Sequence, residues 1–76
     1  MNKETVKAAI VGAIRRNPGR DHEAVEFHIQ FSNPKQNGFV PLPAIQVALN
    51  ELIIEGVLEQ REWHGTPVYG LVEAAA

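Results

Sequence analysis

Two groups of side chains in this sequence have the types and the spacing that nucleic-acid binding requires. Gln46 and Asn50 are four residues apart, so in a helix both amides lie on one face, and amides can pair hydrogen bonds with base edges. Arg61, Trp63 and His64 combine a cation, an aromatic ring and a hydrogen-bond donor, which is compatible with stacking on a sugar or base. Simpler interpretations stay open: solvated helix positions for the amides, and packing of Trp63 across a hairpin with Arg61 as its cation–π partner. For Trp63 we favour the packed position.

Positive charge is concentrated near the N-terminus, although the whole chain carries a net charge of −2. Residues 1–20 contain five cations and one carboxylate, a net of +4, whereas residues 21–76 contain two cations and eight carboxylates, a net of −6. Arg15, Arg16 and Arg20 form the only concentrated basic group, and phosphate binding by a small domain usually depends on such a group. For Arg15 the alternative is complementation of a helix dipole, which we favour.

The remaining reactive side chains do not form a metal site or a catalytic motif. His22 and Glu26 have the i, i+4 spacing of one helical face, but zinc requires three or four converging ligands. His28 points elsewhere, and His64 is distant in sequence. The sequence has no nucleophile elbow and no phosphate-cradling glycine loop. We therefore expect no enzyme, no cofactor, no metal and no small-molecule substrate.

The elements that position these side chains begin with a helix over residues 3–16. Asn2 or Thr5 caps its start, and Asn17-Pro18-Gly19 ends it, because proline cannot continue a helix. Its buried face is made of apolar residues spaced three and four apart, namely Val6, Ala9, Ile10, Ala13 and Ile14.

A second helix is predicted over about residues 22–31, with Asp21 as its N-cap. The alternation of Val25, Phe27, Ile29 and Phe31 with polar residues is also a strand pattern, so strand stays open as the alternative. In the helical interpretation Val25, His28, Ile29 and the neighbouring Phe31 or Ser32 share one face, and Phe27 points sideways. A loop rich in turn-forming residues follows over 32–38.

A third helix and a β-hairpin complete the chain. The helix begins near Leu42 or Pro43 and ends at Gly56, which suits the left-handed position after a helix. Its buried stripe is predicted to be Ile45, Leu49, Leu52 and Ile53. Strands over about 57–63 and 67–72 then flank a His64-Gly65 turn.

The 76 residues make one domain, 1–76, with a frayed tail at about 73–76. The sequence contains no cysteine, no apolar run that could span a bilayer and no signal peptide, so we expect a cytoplasmic protein without a membrane partner.

Three segments resemble the winged-helix superfamily of bacterial and phage regulators. Leu49 to Leu58 is similar to the end of that family's recognition helix, and Val68-Tyr69-Gly70-Leu71 is similar to its returning wing strand. Ile10 to Gly19 is similar to its first helix. The resemblance implies an α+β fold, a three-helix winged helix with a C-terminal two-stranded β-hairpin wing.

The resemblance also implies a small DNA-binding protein, a transcriptional or phage or plasmid regulatory accessory factor, that binds double-stranded DNA, with a homodimer expected. Its base-reading side chains would lie on the solvent face of the third helix: Ala44, Gln46, Val47, Asn50 and Glu51. Its phosphate contacts would come from the start of that helix and from the wing: Lys35, Gln36, Asn37, Arg61, His64 and Thr66. The sequence departs from the family because no Lys or Arg lies between Pro41 and Gln60.

The alternative hypothesis is a winged helix that binds another protein and not DNA. Three carboxylates lie between Pro41 and Gln60, and Ile54 is expected to project outward beside them. The candidate surface consists of Glu51, Ile54, Glu55 and Glu59.

Overall fold

The computed structural model describes residues 2–17, 20–32 and 40–72. Within these ranges three helices are followed by an antiparallel hairpin, so the predicted α+β class with three helices and a β-hairpin wing is confirmed. The elements are α1 (Lys3–Arg16), α2 (Ala24–Phe31), α3 (Leu42–Ile54), β1 (Leu58–Trp63) and β2 (Thr66–Leu71). No helix in the described ranges is long and apolar enough to cross a bilayer. Most of the predicted 32–38 loop, with Lys35, Gln36 and Asn37, and the predicted 73–76 tail lie outside the described residues.

The first helix agrees with its prediction in both position and buried face. The Asn2 side chain accepts a hydrogen bond of 2.8 Å from the Thr5 backbone N–H, which satisfies one of the free donors at the helix start. The predicted apolar face points into the core, with Ala9 partly buried. Lys7 is buried among these apolar residues, which the periodicity did not indicate.

The second helix confirms the helical interpretation of residues 25–31 but begins later than predicted. It starts at Ala24, its N-cap position is Glu23, and no side chain caps it. The prediction of Asp21 as N-cap is wrong, because Asp21 binds Arg61 instead. His22 is extended and forms an isolated antiparallel bridge with Tyr69 of β2, through backbone hydrogen bonds of 2.9 and 2.7 Å. The segment before α2 therefore lies against the wing.

The buried face of α2 also differs from the prediction. Phe27 and Phe31 are buried, and their ring centroids are 6.0 Å apart. Val25 and Ile29, predicted to share a face with Phe31 or Ser32, are exposed, and Ile29 retains 69% of its accessible surface. Phe27 and Phe31 are spaced i, i+4, so a helix places both rings on one face, and burial of two rings removes more apolar surface from water.

The third helix begins at Leu42, as predicted, and its position is set from both ends. Val40 is buried, and the Ser32 hydroxyl both accepts from its N–H and donates to its carbonyl, at 3.2 Å in each case. His28 Nδ1–H donates to the same carbonyl at 2.6 Å. Gly56 ends the helix with φ of +80°, in the left-handed region that was predicted for it.

The buried stripe of α3 is slightly rotated from the predicted one. Ile45, Leu49 and Leu52 are buried as expected, but Ala48 is fully buried whereas Ile53 is only partly buried. The core joins this stripe to residues from every other element, and its largest fully buried side chains are Phe27, Ile10, Ile45, Leu49 and Leu58.

The hairpin closes through the predicted His64-Gly65 turn. Both residues have positive φ, 51° and 80°, as a two-residue type I′ turn requires. The register pairs Leu58 with Leu71, Gln60 with Tyr69 and Trp63 with Thr66. Opposite residues share a face, so Leu58 and Tyr69 point to the core while Trp63 lies on the outer face.

We predict opposite effects for two glycine substitutions. Gly56→Ala places a Cβ at a left-handed position, so the free energy of unfolding should fall by roughly 1 kcal/mol. Gly12→Ala lies inside α1, and its new Cβ meets only Arg16 Nη1, at 3.7 Å. Because alanine favours helices, this substitution should raise the free energy of unfolding by up to about 1 kcal/mol. Urea unfolding measures both, and equal effects would contradict the predicted cap.

Candidate nucleic-acid interface

The solvent side of α3 is a face without charge. Its exposed residues fall within an arc of roughly 100° at 3.6 residues per turn, and we call them the open face: Pro43, Gln46, Val47, Asn50 and Ile54. Val47 is 51% exposed and Ile54 83% exposed, which confirms the outward direction expected for Ile54. Gln46 and Asn50 are both exposed beside them.

The carboxylates of α3 lie on a different side, which faces α1. Lys3 Nζ contacts Glu51 Oε2 at 2.9 Å, and Lys7 Nζ donates to Glu55 Oε2 at 2.6 Å. The hydrogen bond from Lys7 to Glu55 outweighs desolvation and raises the pKa of Lys7. Each of these two acids is therefore matched by a lysine of α1, and Lys7 also lies 3.7 Å from Glu4 of its own helix.

Two of the predicted base-reading residues belong to this flank rather than to the open face. Ala44 and Glu51 are both partly buried, and Glu51 is engaged by Lys3. The structure thus brings together Gln46, Val47 and Asn50 and separates them from Ala44 and Glu51. The acids in the sequence of α3 do not make the open face charged, because the acids and the amides point in different directions.

The wing holds Arg61 in a fixed position on its outer face. Arg61 Nη1 donates to Asp21 Oδ1 at 2.6 Å, and Nη2 binds Glu59. These carboxylates, Asp21 foremost, raise the pKa of Arg61. The Asp21 carboxylate lies directly over the backbone of Gly70, where a Cβ would collide with Oδ1. Gly70 is therefore required for close approach of Asp21 rather than for an unusual backbone angle.

The aromatic tip of the wing is open to solvent. Trp63 is 61% exposed and meets His64 edge-on, with ring centroids 4.3 Å apart. The favoured interpretation, in which Trp63 packs across the hairpin, is wrong, because the indole sits at the last pair of the ladder beside the turn. Arg61 is bound by carboxylates rather than stacked on the indole. Thr66, opposite Trp63, is partly buried.

The predicted basic group divides into two parts. Arg20 Nη2 binds Glu26 Oε2 at 2.6 Å, and His22 Nδ1–H donates to the same oxygen at 3.1 Å. Burial favours the neutral form of Glu26, but these two hydrogen bonds outweigh it and lower the pKa of Glu26. Arg15 and Arg16 make no ion pair with any described residue. Arg15 lines a groove with Leu52, Glu55 and Val57 at the end of α3.

A cleft of about 420 Å³ separates the start of α2 from the wing. Its charged lining consists of two guanidinium groups and four carboxylates: Arg20, Arg61, Asp21, Glu23, Glu26 and Glu62. Because the carboxylates outnumber the cations, this cleft does not suit a phosphate group. No cluster of three metal-ligating side chains occurs among the described residues.

Sequence patterns missed the residues that arrange this surface. Lys3, Lys7 and Asp21 are ordinary charged positions in the sequence, and their partners lie about 40 to 48 residues away. Only the i, i+4 spacing of His22 and Glu26 was visible beforehand, although here His22 precedes the helix. No protein-family model matches this chain, and neither the curated proteins nor the solved structures contain a significant match to it.

The position of Asp21 over Gly70 predicts non-additive mutations. Gly70→Ala should lower the free energy of unfolding by roughly 1 kcal/mol, as overpacking does, because the new Cβ displaces Asp21. In an Asp21→Ala background the collision is absent, so the same substitution should have a clearly smaller effect. A double-mutant cycle from urea unfolding measures this coupling, and simple additivity would argue against the close approach.

The acid dependence of stability should reflect Glu26. Its pKa in the folded state is lowered, so its stabilising contribution is present above the ordinary glutamate pKa of about 4.3 and is lost as the pH falls through the lower folded value. Glu26→Gln should therefore flatten the decline of the thermal midpoint in this acid range. Glu23→Gln, without an ion pair among the described residues, is the matched control and should leave the decline unchanged.

Proposed function

We propose that this chain is a small winged-helix DNA-binding protein of regulatory type, which presents the open face of α3 to the major groove of duplex DNA. The supporting observation is the neutrality of that face. A row of acids along a recognition helix would oppose a phosphate-lined groove, but Glu51 and Glu55 lie toward α1 and each contacts a lysine. The open face meets the groove with two amides and three apolar side chains.

Phosphate contacts must come from outside α3, because affinity for duplex DNA depends mainly on neutralising phosphates. Arg15 and Arg16 are not paired with other described residues, and Arg15 lies beside the end of α3. Arg61 is paired, but its side chain is about half exposed, and exposed ion pairs are weak enough to be exchanged for a phosphate. Few cations are therefore available for phosphate contacts, so a monomer should bind DNA weakly. A dimer would double the number of these contacts.

A second candidate function is docking of another protein on the same face. Ile54 and Val47 are both exposed on the open face, about two helical turns apart, which favours an apolar contact. The acidic part of this hypothesis loses its basis, since Glu51 and Glu55 are engaged by Lys3 and Lys7, and Glu59 binds Arg61.

Titration of a fluorescent mixed-sequence duplex at two salt concentrations tests the proposal. We expect binding at low salt that weakens as salt rises, because bound phosphates release counterions. In the double variant Arg15→Gln, Arg16→Gln the slope of log K against log salt should decrease by up to about 2, at roughly 0.9 for each lost contact.

DNA binding and protein docking can be separated by a substitution on the open face. Ile54→Asn should abolish the apolar contact of a docked protein, whereas the salt slope of duplex binding, which reports phosphate contacts, should not change. A chain that binds no duplex at low salt, while circular dichroism shows it folded, would refute DNA binding and leave protein docking as the function to pursue.

A further inference from the structure

We infer that the open face of α3 selects A·T base pairs in the major groove and is unable to select G·C pairs. This inference rests on the proposed function and specifies its ligand. It follows from which side chains the fold turns outward and which ones it retains against α1.

The side-chain hydrogen-bonding groups of the open face are the amides of Gln46 and Asn50. Guanine is read in the major groove chiefly by Arg or Lys, and cytosine by Glu or Asp. The open face contains none of these. Glu51 and the C-cap residue Glu55 lie on the α1-facing flank, and the helix has no lysine or arginine. Asn and Gln, which are present at Gln46 and Asn50, form paired hydrogen bonds with adenine N6 and N7.

The apolar side chains of the open face favour the same base pairs as its amides. The thymine methyl group is the only apolar mark in the major groove, and small aliphatic side chains contact it. Val47 is half exposed and lies at the edge of the arc, on the far side of Ile54 from the two amides. A G·C pair offers Val47 no such methyl group, so the apolar and the polar parts of the face favour the same base pairs.

The spacing of the two amides along α3 sets the length of the preferred target. Gln46 and Asn50 are separated by four residues, about 6 Å along the helix axis. Base pairs rise by about 3.4 Å, so on a helix that lies along the groove this separation spans roughly two steps of the duplex. The preferred target is therefore a short block of about three A·T pairs, with adenines at its ends and a thymine methyl beside Val47.

Minor-groove recognition of A·T sequences is a competing origin of such a preference, and it generally uses an inserted arginine. In the wing Arg61 is the cation that could supply this arginine, although insertion would first break its pairs with Asp21 and Glu59. Chemical substitution of the bases separates the two origins.

The experiment begins with selection of bound duplexes from a randomised pool at low salt, followed by anisotropy titrations on the enriched block. We expect enrichment of A·T blocks and at least roughly fivefold weaker binding when the block is changed to G·C, in line with one lost paired contact. Replacing A·T by inosine·cytosine should weaken binding as much as G·C does, because that pair resembles G·C in the major groove and A·T in the minor groove. Replacing thymine by uracil should weaken binding by the wild type but not by Val47→Ser, whose side chain has no methyl group to contact the thymine methyl.

The variants Gln46→Ala and Asn50→Ala should each reduce the A·T preference while salt-dependent binding to mixed duplex persists. Alanine favours helices, so both should fold, which circular dichroism checks. Gln30→Ala, an exposed amide on α2, is the matched control and should retain the full preference.

The outcomes distinguish this inference from the function beneath it. Salt-dependent binding without an A·T preference, or a preference that survives on inosine·cytosine duplex or in Gln46→Ala and Asn50→Ala, overturns the inference and leaves DNA binding standing. Absence of salt-dependent binding overturns both.

Discussion

The rotation of α3 about its own axis is the constraint on which the rest of this surface depends. Burial of Ile45, Ala48 and Leu49 fixes the inner side of the helix, since each is fully buried. The contacts of Lys3 and Lys7 with Glu51 and Glu55 fix one flank. A turn of the helix by one residue would break both sets of contacts together. The side that remains for solvent is thereby determined, although no interaction holds the exposed residues themselves.

The wing is oriented by a second set of contacts that comes from the segment before α2. His22 bonds to the backbone of Tyr69, and Asp21 lies over Gly70 and binds Arg61. These consecutive residues give β2 a partner on its other edge, next to its pairing with β1. A two-stranded hairpin alone is marginally stable in water, so this short extended segment and the core contact of Leu58 together hold the wing to the helices.

Local patterns predicted the parts of this fold that depend on local energies. The Asn2 cap, the left-handed Gly56 and the His64-Gly65 turn each follow from the conformational preference of one or two residues. The buried face of α2 was not predicted, because its apolar residues fit two periodicities and only the packing partners decide for Phe27 and Phe31. The start of α2 was misjudged for a related reason. Asp21 is a good cap in isolation, but its carboxylate has a stronger partner in Arg61, 40 residues later in the chain.

The candidate site shows the same division between local and distant causes. The outward direction of Gln46, Asn50 and Ile54 follows from helical spacing alone. The neutrality of their face does not, because it depends on where the acids of α3 find cations, and those cations lie in α1. Counting charges along α3 treats its carboxylates as part of the exposed surface, whereas the fold uses them in the contact between two helices.

The use of cations within the fold limits the proposed binding of DNA. Of the described cations, Lys3, Lys7, Arg20 and Arg61 are already engaged by carboxylates, so most of the positive charge maintains the fold. A protein that contacts phosphates with few cations gains little non-specific affinity for DNA. Discrimination between sequences then rests on the neutral contacts of the open face, which are made only where the bases match. Such a molecule would have low affinity but a comparatively high ratio of specific to non-specific binding, and pairing of two copies would raise the affinity without changing that ratio for each half-site.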